Sequence, residues 1–341
     1  MKAVLMAGGQ GTRLRPVTGE LPKPLAPMLG RPMMEHILLL LKEHGFTQIC
    51  GALGYRAEEI MERFGDGRAL GLRLSWRVER EPLGTAGAVR NCRDFIGDED
   101  VLVISADAAC DFDLSGLLKA HRKRGAAATL ALVRDPAPLR YGLAVTDSSD
   151  RIRAFIEKPD WSRVVTDLVN TGIYVLSPRA LDAIPEGQAY DFGRDLFPSL
   201  LASGETLLGL PMEGYWCDVG TPLSYYRCCV DALEGRLRLH PGPDFLPVEP
   251  PAESAEERPS QVALRIPCRD RAGLMGALSE LMLELDADYS DGILLRRESW
   301  DLRIRPERDQ AALRVEANAL DTEFARDLAL SARDVIRALE G

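Results

Sequence analysis

Lysine is scarce in this chain of 341 residues. Lys2, Lys23, Lys42, Lys119, Lys123 and Lys158 are the only lysines among 42 basic residues, so arginine fills almost every basic position. Arginine is a broad planar fork, whereas lysine is a compact point charge on a slender stem. Lys23 and Lys158 lie inside motifs, and a crowded phosphate site is one place where a lysine is needed; chance placement is the alternative. Histidine is scarcer: His36, His44, His121 and His240 adjoin no motif that suggests proton transfer, and surface or helix-end places are expected of them. An excess of positive charge is also lacking. With 52 acidic residues and a formal net charge of -10, the chain offers no general basic face for nucleic acid. No apolar stretch approaches the ~20 residues that span a bilayer, and the short N-terminal apolar run has no charged n-region or cleavage site. A cytoplasmic protein without a membrane partner is expected. Cys50, Cys92, Cys110, Cys217, Cys228, Cys229 and Cys268 form no Cys-x-x-Cys and read as reduced thiols rather than metal ligands.

Hydrophobic residues make up 46% of the chain, ample for conventional cores, and the length suits two domains. Short apolar runs at Gln48–Leu53, Leu72–Arg77, Val101–Ser105, Ala128–Val133 and Thr171–Leu176 read as strands. Between them Pro32–His44, Ala57–Phe64, Thr85–Phe95 and Leu114–Arg122 carry apolar residues at helical spacing. Such βαβ alternation predicts an α/β, Rossmann-like, mainly parallel sheet covered on both faces. The pattern stops near Gly235. Residues 236–260 are rich in proline and glutamate and read as a linker. Residues 261–341 form a second, small α+β unit, with helices expected at Ala272–Leu285 and Thr322–Leu339 and strands at Ile293–Arg297, Asp301–Arg305 and Leu313–Ala317.

The most informative segment is Ala7-Gly8-Gly9-Gln10-Gly11-Thr12-Arg13, followed by Pro22-Lys23-Pro24-Leu25. It follows the strand-like Lys2–Met6, so its glycines fall at a strand's carboxyl end, where open α/β sheets bind ligands. Glycine lets the backbone approach a nucleotide closely with its N–H groups free for phosphate, and Arg13 and Lys23 add fixed positive charge. The run fits neither the Walker loop nor the dinucleotide fingerprint, whose third glycine would stand at Leu14.

With Gly30-Arg31-Pro32-Met33-Met34-Glu35-His36, these segments resemble the opening of the sugar-1-phosphate nucleotidylyltransferases over about residues 1 to 35. The resemblance implies a nucleotide-diphospho-sugar transferase fold and transfer of a nucleoside monophosphate from a triphosphate to a sugar 1-phosphate, with release of pyrophosphate. It places nucleotide on Ala7, Gly8, Gly9, Gly11 and Thr12, and the triphosphate on Arg13 and Lys23. It also implies Mg2+ held by Asp107, at the end of Val101–Ser105, and by Asp218 in Trp216-Cys217-Asp218-Val219-Gly220. Ala106 departs from the glycine that the family usually has before the first aspartate. Sugar binding falls to Gly142, Glu157, Asn170 and Thr171, with Lys158 on the sugar phosphate. As bare sequence, Glu157-Lys158-Pro159 fits a solvated turn equally well.

The segment Leu83-Gly84-Thr85-Ala86-Gly87 resembles guanylyltransferases for mannose 1-phosphate. Glu79 just upstream is a candidate base reader, because a carboxylate can accept from both N–H groups on guanine's pairing edge, although Glu79 also fits an exposed charge run. Base contacts are thus expected at Glu79, Gly84 and Thr85, with GTP as the favoured triphosphate. The tail, through Pro267-Cys268, Gly273-Leu274-Met275, Asp291-Gly292 and Trp300–Ala317, is similar to the last domain of bacterial chimeras joining such an enzyme to a phosphomannomutase-like half. The N-terminal part is also similar to those chimeras, notably in Glu157-Lys158-Pro159-Asp160-Trp161 and Asn170-Thr171-Gly172. The mutase serine motif Ser-His-Asn-Pro is missing, and Arg305-Pro306-Glu307-Arg308-Asp309 stands where small phosphate-binding residues belong, so the tail is expected to be non-catalytic. Two alternatives stand beside GDP-mannose synthesis. One is a non-catalytic nucleotide-sugar sensor or regulatory subunit; the other is an enzyme for another sugar, such as glucose or heptose 1-phosphate. A homo-oligomer is compatible with either.

Overall fold

The computed structural model describes residues 1–135, 138–159, 164–243, 260–282, 287–288, 292–297, 300–307, 312–319 and 322–340. Asp160, Trp161, Asp291, Arg308, Asp309 and most of the expected linker lie outside them. The chain divides into two compact units, Met1–Gly220 with Cys228–Phe245, and Thr221–Arg227 with Leu246–Gly341.

The strands of the first unit are β1 (Lys2–Ala7), β2 (Pro27–Met28), β3 (Arg31–Pro32), β4 (Gln48–Leu53), β5 (Arg73–Val78), β6 (Val101–Ser105), β7 (Ala108–Cys110), β8 (Ala128–Arg134), β9 (Leu143–Thr146), β10 (Ile152–Ile156), β11 (Leu168–Leu176), β12 (Leu207–Pro211) and β13 (Trp216–Asp218). Its helices are α1 (Arg15–Thr18), α2 (Met33–Glu43), α3 (Ala57–Phe64), α4 (Gly84–Arg90), α5 (Arg93–Ile96), α6 (Leu114–Arg124), α7 (Pro178–Asp182) and α8 (Phe197–Ala202); α9 (Pro222–Leu233) runs on from residues of the second unit.

Nine strands make the main sheet. Its site-bearing part, β5-β4-β1-β6, is wholly parallel, whereas β11 meets β6, β8 and β9 antiparallel. Strand β1 shows why both faces are covered. Ala3, Leu5 and Ala7 enter one core with α2, α3 and α6, while Val4 enters the other with α4, α7 and α8. Strand β6 repeats the alternation, with Leu102 and Ile104 on the first side and Val101 and Val103 on the second. Near-continuous apolar runs are what a doubly covered parallel strand requires. Because β4 and β6 flank β1 on opposite sides, the chain reverses its winding at β1, and a crevice opens beyond the carboxyl ends of these strands.

Three expectations need correction. The expected helix Thr85–Phe95 is two, broken at Asn91 and Cys92. His36 and His121 are buried rather than superficial, His36 with Nε2 2.8 Å from Met28 O and His121 with Nδ1 2.8 Å from Thr129 Oγ1. The stretch after Gly235 does not begin as a free linker. Leu237 is 1% exposed, Arg238 N donates to Asp111 Oδ2 at 3.1 Å, and Gly242 N donates to Leu29 O at 2.8 Å.

The second unit has an antiparallel sheet in the order β14-β17-β16-β15, formed by β14 (Ser260–Pro267), β15 (Ile293–Arg296), β16 (Trp300–Pro306) and β17 (Ala312–Ala319), with α10 (Arg271–Met282) and α11 (Thr322–Glu340). Strand β14 has no counterpart in the sequence reading. Ala325, Leu328, Ala332 and Ile336 form the buried stripe of α11 at helical spacing. Glu307 accepts from Arg265 Nε at 2.8 Å, so its carboxylate is committed to an ion pair.

Candidate active site

A cleft of about 480 Å3 lies at the carboxyl ends of β1, β4 and β6. Ala7, Gly8, Gly9, Gly11, Thr12, Arg13, Lys23, Glu79, Gly84, Thr85 and Asp107, all singled out in the sequence, line it. Gly11 sits at φ 57°, a left-handed conformation, and a β-carbon there would stand 2.6 Å from Lys23 Cβ. Only glycine fits a turn folded this tightly over the lysine. Lys23 itself is 7% exposed and aims its ammonium at two carboxylates, Asp107 Oδ2 at 2.8 Å and Asp218 Oδ1 at 3.8 Å.

The two aspartates meet through a short antiparallel ribbon. Strands β7 and β13 pair Asp218 with Ala108 and Trp216 with Cys110, and Val219 N donates to Asp107 O at 3.3 Å. Behind the ribbon, Asp111 Oδ1 accepts from Tyr215 N at 2.7 Å and so anchors the start of β13. Burial works to raise the Asp107 carboxyl, but the Lys23 charge and hydrogen bond, with the Ser105 hydroxyl, hold it below the usual carboxylate range. Asp218 lies above its ordinary range because burial, helped by Asp107, outweighs Lys23, Arg13 and Arg140.

These residues suit the magnesium that the resemblance implies. Magnesium takes oxygen ligands, one or two of them carboxylates, and shares the remainder with water and substrate phosphates. Two carboxylates 2.8 and 3.8 Å from one cationic point, Asp107 on the cleft wall and Asp218 beside it on the ribbon, fit that demand. Among the described residues no group of three or more His, Cys, Asp or Glu side chains forms a metal cage.

Just after β5, Glu79 accepts from Leu83 N at 3.4 Å, and the pKa of its carboxyl is raised by burial. Gly84, at φ 69°, opens α4, and a β-carbon there would lie 2.7 Å from Tyr190 O.

A second group lies around β9 and β11. The Glu157 carboxylate would be 2.8 Å from a β-carbon on Gly142, whose carbonyl accepts from Asn170 N at 2.8 Å. Its pKa is raised, chiefly by burial and then by Asp191, against the pull of Lys158 and Arg194. Lys158 is exposed and adopts φ 41°, an uncommon left-handed backbone for a side chain of this size. Asn170 is partly committed to its own strand: Nδ2 donates to Tyr174 Oη at 2.8 Å, and Oδ1 accepts from Gly172 N at 3.2 Å. Thr171 is not presented to the cleft. It is 3% exposed and donates to Ala131 O at 2.8 Å, because β11 shifts register between Asn170 and Tyr174. Its carbonyl holds Trp216 Nε1 at 3.1 Å, which ties the bulge to the ribbon carrying Asp218. The Trp216 ring in turn meets Tyr141 edge-on at 5.3 Å.

Sequence reasoning passed over Asp191. Its Oδ2 accepts from Thr85 Oγ1 at 2.8 Å and its Oδ1 from Gly193 N at 2.9 Å. An aspartate before a short helical turn is a capping signal, the one sequence feature that marks it.

A profile for the family described as "Nucleotidyl transferase" matches residues 2–235. The chain belongs to this nucleotidyl transferase family. Among relatives, it is 38% identical over 251 residues to a UTP--glucose-1-phosphate uridylyltransferase of Synechocystis sp., covering 70% of this chain and 65% of that protein. It is 37% identical over 246 residues to a mannose-1-phosphate guanylyltransferase of Mycobacterium tuberculosis, covering 70% and 68%. The chain thus spans slightly less than two thirds of the cyanobacterial relative's length. A solved structure of a putative glucose-1-phosphate thymidylyltransferase from Bacillus anthracis in complex with a sucrose superposes with TM-score 0.63 at 28% identity, over 68% of this chain and 95% of that one. The match supports the nucleotide-diphospho-sugar transferase fold of this family member. Among the described residues no helix is long and apolar enough to cross a membrane.

Proposed function

We propose that this chain is a sugar-1-phosphate nucleotidylyltransferase, transferring a nucleoside monophosphate from a triphosphate to a sugar 1-phosphate with release of pyrophosphate. The observation that carries the reading is the convergence of Asp107 and Asp218 on Lys23, which together with Asp107 lines a glycine-rich cleft. The nucleophile, a sugar phosphate oxygen, is already ionised, so the protein must supply charge neutralisation and alignment rather than a base. Arg13 and Lys23 hold the triphosphate and stabilise the departing pyrophosphate, and Lys158 orients the incoming phosphate. Glu157, Gly142 and Asn170 face the sugar. Asp107 and Asp218 would hold Mg2+, which when bound supplies positive charge to the phosphates.

Mannose 1-phosphate and GTP are the favoured pair. The half-buried Glu79 carboxylate beside the loop matches the adjacent N–H donors of guanine's pairing edge, which uracil does not present together. The 38% identity to a glucose-1-phosphate uridylyltransferase supports glucose and UTP as the second reading. The second unit is assigned assembly or regulation rather than chemistry, in keeping with the Arg265–Glu307 pair that commits the Glu307 carboxylate.

Pyrophosphate release measured over a matrix of four nucleoside triphosphates and several sugar 1-phosphates tests the reading. GTP with mannose 1-phosphate is expected to give the highest kcat/KM. Release from no pair at all would leave the non-catalytic sensor.

A further inference from the structure

We infer that Asp191 is a positioning residue that couples the nucleotide half of the cleft to Glu157, so that a triphosphate seated on Gly84 and Thr85 sets the sugar subsite. The inference rests on the proposed reaction.

Thr85 lies in the first turn of α4, on the cleft wall. Its hydroxyl donates to Asp191 Oδ2 at 2.8 Å and accepts from Phe192 N at 3.0 Å. The same turn is fastened by backbone bonds to the neighbouring residue: Tyr190 N to Leu83 O at 2.8 Å, Ala86 N to Tyr190 O at 2.9 Å, and Gly87 N to Tyr190 O at 3.0 Å. A shift of the nucleotide-facing turn therefore carries Tyr190 and Asp191 with it.

The other oxygen of Asp191 acts on the opposite side. Oδ1 accepts from Gly193 N at 2.9 Å and Arg194 N at 3.1 Å, capping the turn Phe192–Leu196. Leu196 N reaches back to Asp191 O at 3.0 Å, a wide π-type turn of the kind that recurs at functional sites. Gly193 in that turn rests on the sugar-side carboxylate, for a β-carbon there would lie 2.5 Å from Glu157 Oε2 and 3.0 Å from Phe155 Cε1. Asp191 is close enough that its charge acts on the Glu157 carboxyl. One carboxylate thus joins Thr85 to the turn that backs Glu157.

Alignment of two substrates for in-line attack is where such a link matters, because a misplacement of about 1 Å can cost about a hundredfold in rate. Linkage also requires reciprocity: nucleotide tightens the sugar phosphate by the factor by which sugar phosphate tightens nucleotide.

The test uses the full chain with Thr85→Val, which removes the hydroxyl at constant shape, Thr85→Ser, which restores it, and Asp191→Ala. Thr85→Val and Asp191→Ala should each raise KM for the sugar 1-phosphate about fivefold or more, and the two together no further, while Thr85→Ser stays within about twofold of the unaltered chain. Hydrogen exchange with a non-hydrolysable triphosphate alone gives a readout free of turnover. Nucleotide should protect Phe155–Glu157 and Phe192–Leu196 in the unaltered chain but not in Thr85→Val, with protection at Gly8–Thr12 in both. If Asp191→Ala fails to fold, Thr85→Val carries the test alone. An unchanged sugar-phosphate KM in Thr85→Val, or protection at Phe155–Glu157 that survives it, overturns the coupling while leaving the proposed reaction intact. No nucleotide-dependent protection at Gly8–Thr12 in the unaltered chain overturns both.

Discussion

Lys23 Nζ donates to Asp107 Oδ2 at 2.8 Å across 84 residues of sequence. The bond places a nearly buried ammonium against a carboxylate that burial alone would push toward neutrality, and the ammonium prevails. Asp107 is therefore charged before any substrate arrives. Asp218, 3.8 Å from the same nitrogen, shares this cation. The arrangement is preorganised electrostatics: a fixed charge cluster whose reorganisation cost is met on folding rather than during reaction.

Neutralising either carboxylate should damage chemistry more than folding. Asp107→Asn or Asp218→Asn is expected to lower kcat by at least about a hundredfold, the scale of one strong preorganised contact. Pyrophosphate release at saturating substrate and magnesium measures this. Near-normal turnover in either variant would exclude the metal assignment.

Glu79→Gln should narrow the preference for GTP, since an amide presents one acceptor and an unwanted donor to guanine's pairing edge. A buried mismatch of this kind costs ~1–3 kcal/mol. The ratio of kcat/KM for GTP to that for the other triphosphates is the quantity to compare. An unchanged ratio would move base selection to the backbone around Gly84.

The cleft-lining half of the candidate site was legible because its signals are contiguous. The loop at residues 7–13 and the Pro-Lys-Pro that follows needed only a strand before them to be placed correctly. The meeting of Asp107 with Asp218 was reachable by resemblance but not by pattern, because the ribbon uniting them has three residues on each side, too few for any periodicity. Thr171 is expected at the sugar only by resemblance, and the register shift in β11 turns its hydroxyl inward onto Ala131 O. Asp191 was hidden because its role lies in a bond to Thr85, 106 residues away. His36, expected at the surface or a helix end, lies near the start of α2 but is buried there, since Met28 O, its hydrogen-bond partner, comes from a strand too short to recognise in sequence.

His36 should make stability depend on pH. Burial is the main cause of its lowered pKa, helped by His240 and Arg31 and opposed by the Met28 carbonyl and Glu35; among the described residues Nδ1 finds no hydrogen-bond partner. The unfolded chain accepts a proton near pH 6.5 that the folded chain refuses, so this contribution is intact above about pH 6.5 and is lost as pH falls below it. His121 shifts in the same direction, so some acid sensitivity persists without His36. Urea midpoints at pH 7.5 and 5.5 should therefore differ less in His36→Leu than in the unaltered chain. Equal differences would show that His36 does not contribute.

Where the first unit ends can be tested by two truncations. Ending after Gly235 crosses what reads in sequence as linker, yet it removes Leu237 from a buried position and Arg238 N from Asp111. It also removes Pro241 O, which accepts from Arg31 Nε at 3.0 Å, and Gly242 N, which donates to Leu29 O. Burial of one leucine contributes about 1.5–3 kcal/mol, and each hydrogen bond about 1 kcal/mol. For a unit of this size such a loss lowers Tm by about 5 °C or more. Asp111 connects the loss to function, since its other oxygen holds Tyr215 N at the start of the strand that bears Asp218. A chain ending after Pro243 keeps all of these contacts. It should retain the stability of the first unit and its pyrophosphate release, while the chain ending after Gly235 should melt lower and turn over more slowly. Differential scanning calorimetry and the release assay on both forms would decide it, and equal Tm and kcat would return Arg236–Pro243 to the linker.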